Sequence, residues 1–136
     1  LFAFIVGACA AALLTSCQTT AHFAAPAADW KARAGQLQYR GAKTTLIGEV
    51  LVRYSGRGDF ELTFTKGPGV PLLMVQQNPT FVRVSGPLAR GSWSGPPADV
   101  PARLRGWTEL RDLLMQVGDK RALRHNSGGD KFLFEF

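Results

Sequence analysis

Charge is missing from the first 28 residues, since no Lys, Arg, Asp or Glu precedes Asp29. Cysteine is scarce as well, with only Cys9 and Cys17, and histidine is limited to His22 and His125. So few cysteines exclude a disulfide-stapled scaffold and a zinc site built from cysteines alone. Stability has to come from an apolar core. Long hydrophobic runs are also lacking. The longest, residues 1–14 (LFAFIVGACAAALL), falls short of the roughly 20 residues that span a bilayer as a helix.

That run has the length and composition of the apolar centre of an export signal, which takes no part in the fold. No Met and no basic residue stand ahead of it, so the sequence reads as beginning inside the signal. It ends in Leu14-Thr15-Ser16-Cys17, which resembles the lipobox of bacterial lipoproteins. A thiol is the group that accepts a diacylglyceryl thioether, and small residues before it let a peptidase reach the backbone. The expected division is a signal over residues 1–16, a lipidated Cys17 and tether over 17–28, and one folded domain over 29–136. The tether reading rests on the uncharged, small, Pro-containing stretch at residues 19–28. Gln18 is not an Asp retention signal, so the expected site is the outer membrane rather than the inner, with the domain facing the periplasm.

The formal charge of +6 falls entirely after residue 28. Such a balance suits an anionic surface such as phospholipid headgroups, or simply keeps the domain soluble. Trp30, Ala34 and Leu37 recur at helical spacing, which predicts a short helix over residues 29–38. The period then drops to two. Residues 44–54 put Leu46, Gly48, Val50, Val52 and Tyr54 on one face, and Phe60, Leu62 and Phe64 alternate with Asp59, Glu61 and Thr63. With Ser55-Gly56-Arg57-Gly58 between them, these segments predict an antiparallel hairpin.

Residues 70–77 contain a Leu72-Leu73-Met74-Val75 run that fits a strand buried on both sides. Residues 81–85 and 89–94 read as further strands, the last with Trp93 on the face of Ala89 and Gly91. Beyond Gly95-Pro96-Pro97, Leu104, Trp107, Leu110, Leu114 and Val117 form one helical face, with Gly118 as the stop and a break at Gly106 or Thr108. Phe132, Phe134 and Phe136 mark a final strand over residues 130–136. The predicted fold class is α+β: a curved antiparallel sheet with a short N-terminal helix and a helical lid.

Chemistry is sparse. His22 falls in the tether and His125 beside a Gly-rich loop, neither at a metal-ligand spacing. Asp59 and Glu61 share the wet face of a strand, where carboxylates are ordinarily solvated. Gly67-Pro68-Gly69 and Gly128-Gly129 lack the Lys and the strand-to-helix setting of phosphate loops. No enzyme, cofactor, metal or nucleic-acid partner is expected. What remains is an apolar sheet face under a helix, which is a core if filled and a pocket for an acyl chain if not.

The order of segments adds to this. A lipobox and a Trp-containing first segment lead into GEVLVRY at residues 48–54 and GDFELTF at 58–64. VSGPLARGSW at 84–93 and a helical segment with Gly106-Trp107 follow. The sequence thus resembles the family of the outer-membrane lipoprotein receptor LolB and its periplasmic relative LolA. That family's first strand opens Gly-Arg, where this chain has Gly48-Glu49. The resemblance implies a half-open antiparallel barrel with a helical lid, holding lipid acyl chains or lipoproteins in transit. Its cavity residues would be Val50, Val52, Phe60, Leu62, Phe64, Val84 and Trp93, covered by Trp107 and Leu110. It also implies a membrane-inserting apolar loop, for which Val70-Pro71-Leu72-Leu73 stands in place. The alternative from the residues alone is a structural or interaction lipoprotein with a filled core that docks an envelope protein complex.

Overall fold

The computed structural model describes residues 22–136; the signal and Cys17 lie outside the described residues. Eight strands form one antiparallel sheet: β1 Lys31–Arg40, β2 Thr45–Tyr54, β3 Phe60–Thr65, β4 Pro71–Gln77, β5 Val82–Ser85, β6 Trp93–Gly95, β7 Ala122–Ser127 and β8 Asp130–Glu135. The spatial order is β6-β5-β4-β3-β2-β1-β8-β7. β6 and β7 are the edges, and the sheet is not closed into a barrel. A single α-helix among the described residues, α1 (Ala102–Gln116), lies between β6 and β7 in the chain and covers the inner face. No helix among the described residues is long and apolar enough to cross a membrane.

Alternation along each strand decides which face is inner. Val50 and Val52 on β2 stand beside Phe64 and Leu62 on β3, which stand beside Leu73 and Val75 on β4. All six are buried, while Glu49, Leu51 and Thr63 between them face outward. The turns are built from the residues that favour them. In the β2–β3 turn, Ser55 Oγ accepts from the backbone N–H groups of Arg57 and Asp59 and donates to the Asp59 carboxylate. In the β4–β5 turn, Asn78 Oδ1 accepts from the N–H groups of Thr80 and Phe81, a side chain closing the turn in place of backbone. The β7–β8 connection uses Gly128 and Gly129 at φ 55° and 96°, the double left-handed turn that suits a tight hairpin.

Several expectations are corrected. Residues 29–38 do not form a helix: from Lys31 onward they are β1, paired on one side with β2 and on the other with β8. Trp30, Ala34 and Leu37 match a helical stripe, yet Leu37 and Tyr39 inward with Gln36 and Gln38 outward match a strand equally well. Two neighbouring strands with unpaired edges decide between the two, which is tertiary context overriding local preference. Residues 70–77 are not buried on both sides, because Leu73, Val75 and Gln77 face inward while Met74 on the outer face is exposed.

Residues 89–94 are not one strand either. Pro87, Leu88 and Ala89 make a 3-10 turn, Arg90 and Gly91 turn back with positive φ, and only Trp93–Gly95 pairs. The helix is continuous through Gly106 and Thr108. Thr108 Oγ donates back to the Arg105 carbonyl within the helix rather than capping a second one. Gly106 is needed for contact, since a Cβ there would lie 3.1 Å from the Phe132 ring. β7 falls in a stretch with no clear alternation, and the sequence marks it only through the Gly128-Gly129 turn that follows.

Candidate functional site

The residues expected to line a cavity do converge. Val50, Val52, Phe60, Leu62, Phe64 and Val84 all point from the sheet toward α1, and Trp107 and Leu110 point back. Each of these eight is at most 2% exposed. Trp93, on the edge strand, is only half-buried.

Trp107 is the centre of the contact. Its ring lies 4.8 Å from Tyr39, 5.9 Å from Phe64 and 4.9 Å edge-on from Phe132. The inner wall is therefore filled, in this arrangement, by the protein's own side chains. Phe132, Phe134, Leu37, Leu104 and Leu114 belong to the same packing, in addition to the expected cavity residues. The aromatic alternation at residues 130–136 signals the first two. Leu37 is hidden by the helical reading of its segment.

Polar ties hold α1 down at three places. Arg103 donates to the Ala89 carbonyl, and Arg111 donates to the Gly58 carbonyl through Nε at 3.0 Å and Nη2 at 2.9 Å. His125 Nε2 on β7 donates to the Glu109 carboxylate at 2.8 Å. Burial pushes the Glu109 carboxyl up, but hydrogen bonding from Ser127 and His125 and the charge of His125 outweigh it. The net effect holds Glu109 below its ordinary range. The Tyr39 hydroxyl donates to Asp130 Oδ1 at 3.1 Å, and burial together with the Asp130 charge pushes its pKa up to about 12. One buried acceptor on the inner face, Gln77 Oε1, has no partner among the described residues.

Open space lies away from the packed wall. A cleft of about 440 Å³ opens at the end of the sheet where α1 begins, with Lys43, Arg90 and Arg103 in its walls. A smaller one of about 320 Å³ lies on the outer face of β1, β8 and β7, beside Arg40, Arg124 and Lys131. A third, also about 320 Å³, lies between α1 and the β4–β5 turn, past Gln77, Arg105 and Arg111. These cations carry no sequence signal, because the turns that gather them are far apart in the chain.

Asp59 and Glu61 do not form a pair. Asp59 is held by Ser55, and Glu61 is bonded to Arg53 at 2.8 Å. Among the described residues, no three His, Cys, Asp or Glu side chains are grouped as metal ligands would be. His22 and Phe23, within the expected tether, rest on the domain: His22 stacks on Phe81 at 3.8 Å, and Phe23 lies under Arg83. The segment expected to insert in a membrane is split. Val70 is exposed in the β3–β4 loop, whereas Leu73 is buried in β4. Comparison of the sequence with protein-family profiles and with curated proteins gives no match to either.

Proposed function

We propose that the chain is a non-catalytic lipoprotein of the cell envelope whose helix-covered sheet face takes a lipid acyl chain when α1 moves aside. The reading includes acylation of Cys17, residence at the outer membrane and a role in lipoprotein localisation, in keeping with the LolB-like order of segments. On the same reading, the open sheet is a half-open barrel and α1 its lid.

The observation that carries it is the cover itself. An apolar face spanning the sheet is closed by one helix of 15 residues, entered through Gly95-Pro96-Pro97 and left through Gly118. Magnitudes make the exchange feasible. Burying Leu104, Trp107, Leu110 and Leu114 stabilises by about 1.5–3 kcal/mol each, or roughly 6–12 kcal/mol in all. A chain of about 16 carbons, at about 0.8 kcal/mol per methylene, offers roughly 12 kcal/mol in their place. Spontaneous opening is then rare, and a ligand that matches the apolar term has also to offset the ties of Arg103, Arg111 and Glu109.

A second reading is favoured by the packing around Trp107. If the filled core is permanent, the domain is a structural or interaction lipoprotein that docks an envelope protein complex through its outer surface. Spin-labelled palmitate separates the two in a protein of residues 18–136 carrying Trp30→Phe and Trp93→Phe. The carrier reading expects the fluorescence of Trp107 to be quenched with saturation. Unchanged fluorescence in a folded domain favours the interaction reading. Anchoring is tested apart from this: mass spectrometry of the membrane fraction should find diacylglyceryl on Cys17, and a free thiol there would contradict it.

A further inference from the structure

The antiparallel pairing brings the β1–β2 turn, the β3–β4 loop, the 3-10 turn after β5, the β7–β8 turn and the start of α1 to one end of the domain. These segments carry Arg40, Lys43, Lys66, Arg90, Arg103 and Lys131. The carboxylate among them, Asp130, accepts from the Tyr39 hydroxyl, a neutral donor, and stands in the wall of the cleft beside the basic residues. Arg40 and Lys131 even stand directly opposite each other on neighbouring strands, a like-charge arrangement that works against the sheet. Much of the net positive charge is thus gathered at one end with little to offset it.

The cleft of about 440 Å³ opens within this end. Lys43 comes from the β1–β2 turn, Arg90 from the end of the 3-10 segment and Arg103 from α1, so three separate elements contribute basic residues to the walls of one space, Arg103 with its Nη1 also donating to the Ala89 carbonyl. Leu88 and Leu104 line its apolar side. The volume lies in the usual range for small-ligand sites. Arg90 adds a further clue: its φ is 53°, a left-handed backbone that a glycine would adopt without strain, yet an arginine occupies it. α1 contributes in the same sense, for its first turn contains no acidic residue and no side chain caps it.

We propose that this cleft binds the phosphate of a phospholipid headgroup, with Lys43, Arg90 and Arg103 as counter-charges and Leu88 and Leu104 against the first carbons of the lipid. Phosphate fits better than a carboxylate because it presents several oxygens to cations converging from different sides, and arginine matches it with paired N–H groups. The cleft is present with α1 seated, so the site stands independently of any movement of the helix.

The test titrates a protein of residues 18–136 with dihexanoyl phosphatidylglycerol below its micelle concentration and, separately, with inorganic phosphate, followed by amide NMR. The lipid should shift the amides of residues 41–44, 88–91 and 102–104. Lys43→Gln and Arg90→Gly should each weaken binding about tenfold, equivalent to 1.4 kcal/mol. Arg90→Gly should unfold no earlier than the parent, since glycine accepts the left-handed backbone; loss of binding there is therefore loss of the cation. Undiminished binding by both variants, or shifts confined to other residues, would overturn the site. Inorganic phosphate binding as tightly as the lipid would overturn the lipid assignment.

Discussion

Tyr39 and Gln77 put opposite demands on the core. Tyr39 is half-buried on the inner face of β1 and satisfies its hydroxyl through Asp130. Its pKa of about 12 makes a pH prediction with a definite sign. A phenol whose pKa is raised on folding stabilises the fold fully below its ordinary value near 10, and that contribution is lost as pH climbs toward 12. Absorbance titration of a Tyr54→Phe variant should show its remaining phenol ionising near 12. Ionisation near 10, the ordinary value, would mean that the phenol is neither buried nor beside Asp130 in solution.

Gln77 is only 6% exposed and leaves Oε1 without a partner among the described residues. An unsatisfied buried polar atom costs about 1–3 kcal/mol. Gln77→Met keeps the shape and removes the polar group, so it should raise the free energy of unfolding in urea by about 1 kcal/mol. A loss of stability would show that the amide is satisfied after all. Neither feature is readable from sequence, because both depend on what a side chain meets across the sheet. The inward positions themselves are legible: Val50, Val52, Phe60, Leu62 and Phe64 alternate so regularly that their shared face follows from period alone.

Among elements, α1 shows how far pattern reading carries. Leu104, Trp107, Leu110 and Leu114 recur at helical spacing, and all four are buried against the sheet. Its polar ties are not visible in the pattern, since His125 and Glu109 are brought together only by the placement of β7. β1 shows the converse. Ten residues with Gly35 at their centre and polar neighbours carry too little apolar period to choose between helix and strand, and the choice is made by β2 and β8 on either side. β7 is hidden for the same reason, although the two glycines after it are a hairpin signal.

The clamp between α1 and β7 makes a testable pH dependence. Glu109 is held below its ordinary value of 4.5 by Ser127 and His125, with Arg105 adding to the effect. A carboxylate lowered in this way stabilises the fold above that value, and the contribution is lost as pH falls through its folded value. Glu109→Gln should therefore lower stability at neutral pH and flatten the acid limb of the stability curve, as measured by urea denaturation between about pH 3 and 7, roughly the span over which carboxylates titrate. An acid limb identical to that of the parent would remove the clamp.

At the scale of the molecule, an open sheet has its apolar side sealed by one helix, with cations gathered at the end where that helix begins. We propose α1 as a replaceable cover of the sheet rather than a permanent layer of the core. Hydrogen exchange of the 18–136 protein, with and without saturating palmitate, tests it most directly. The amides of Ala102–Gln116 should lose protection when palmitate is bound while those of β2 and β3 keep theirs. Helix protection unchanged by bound palmitate would contradict it.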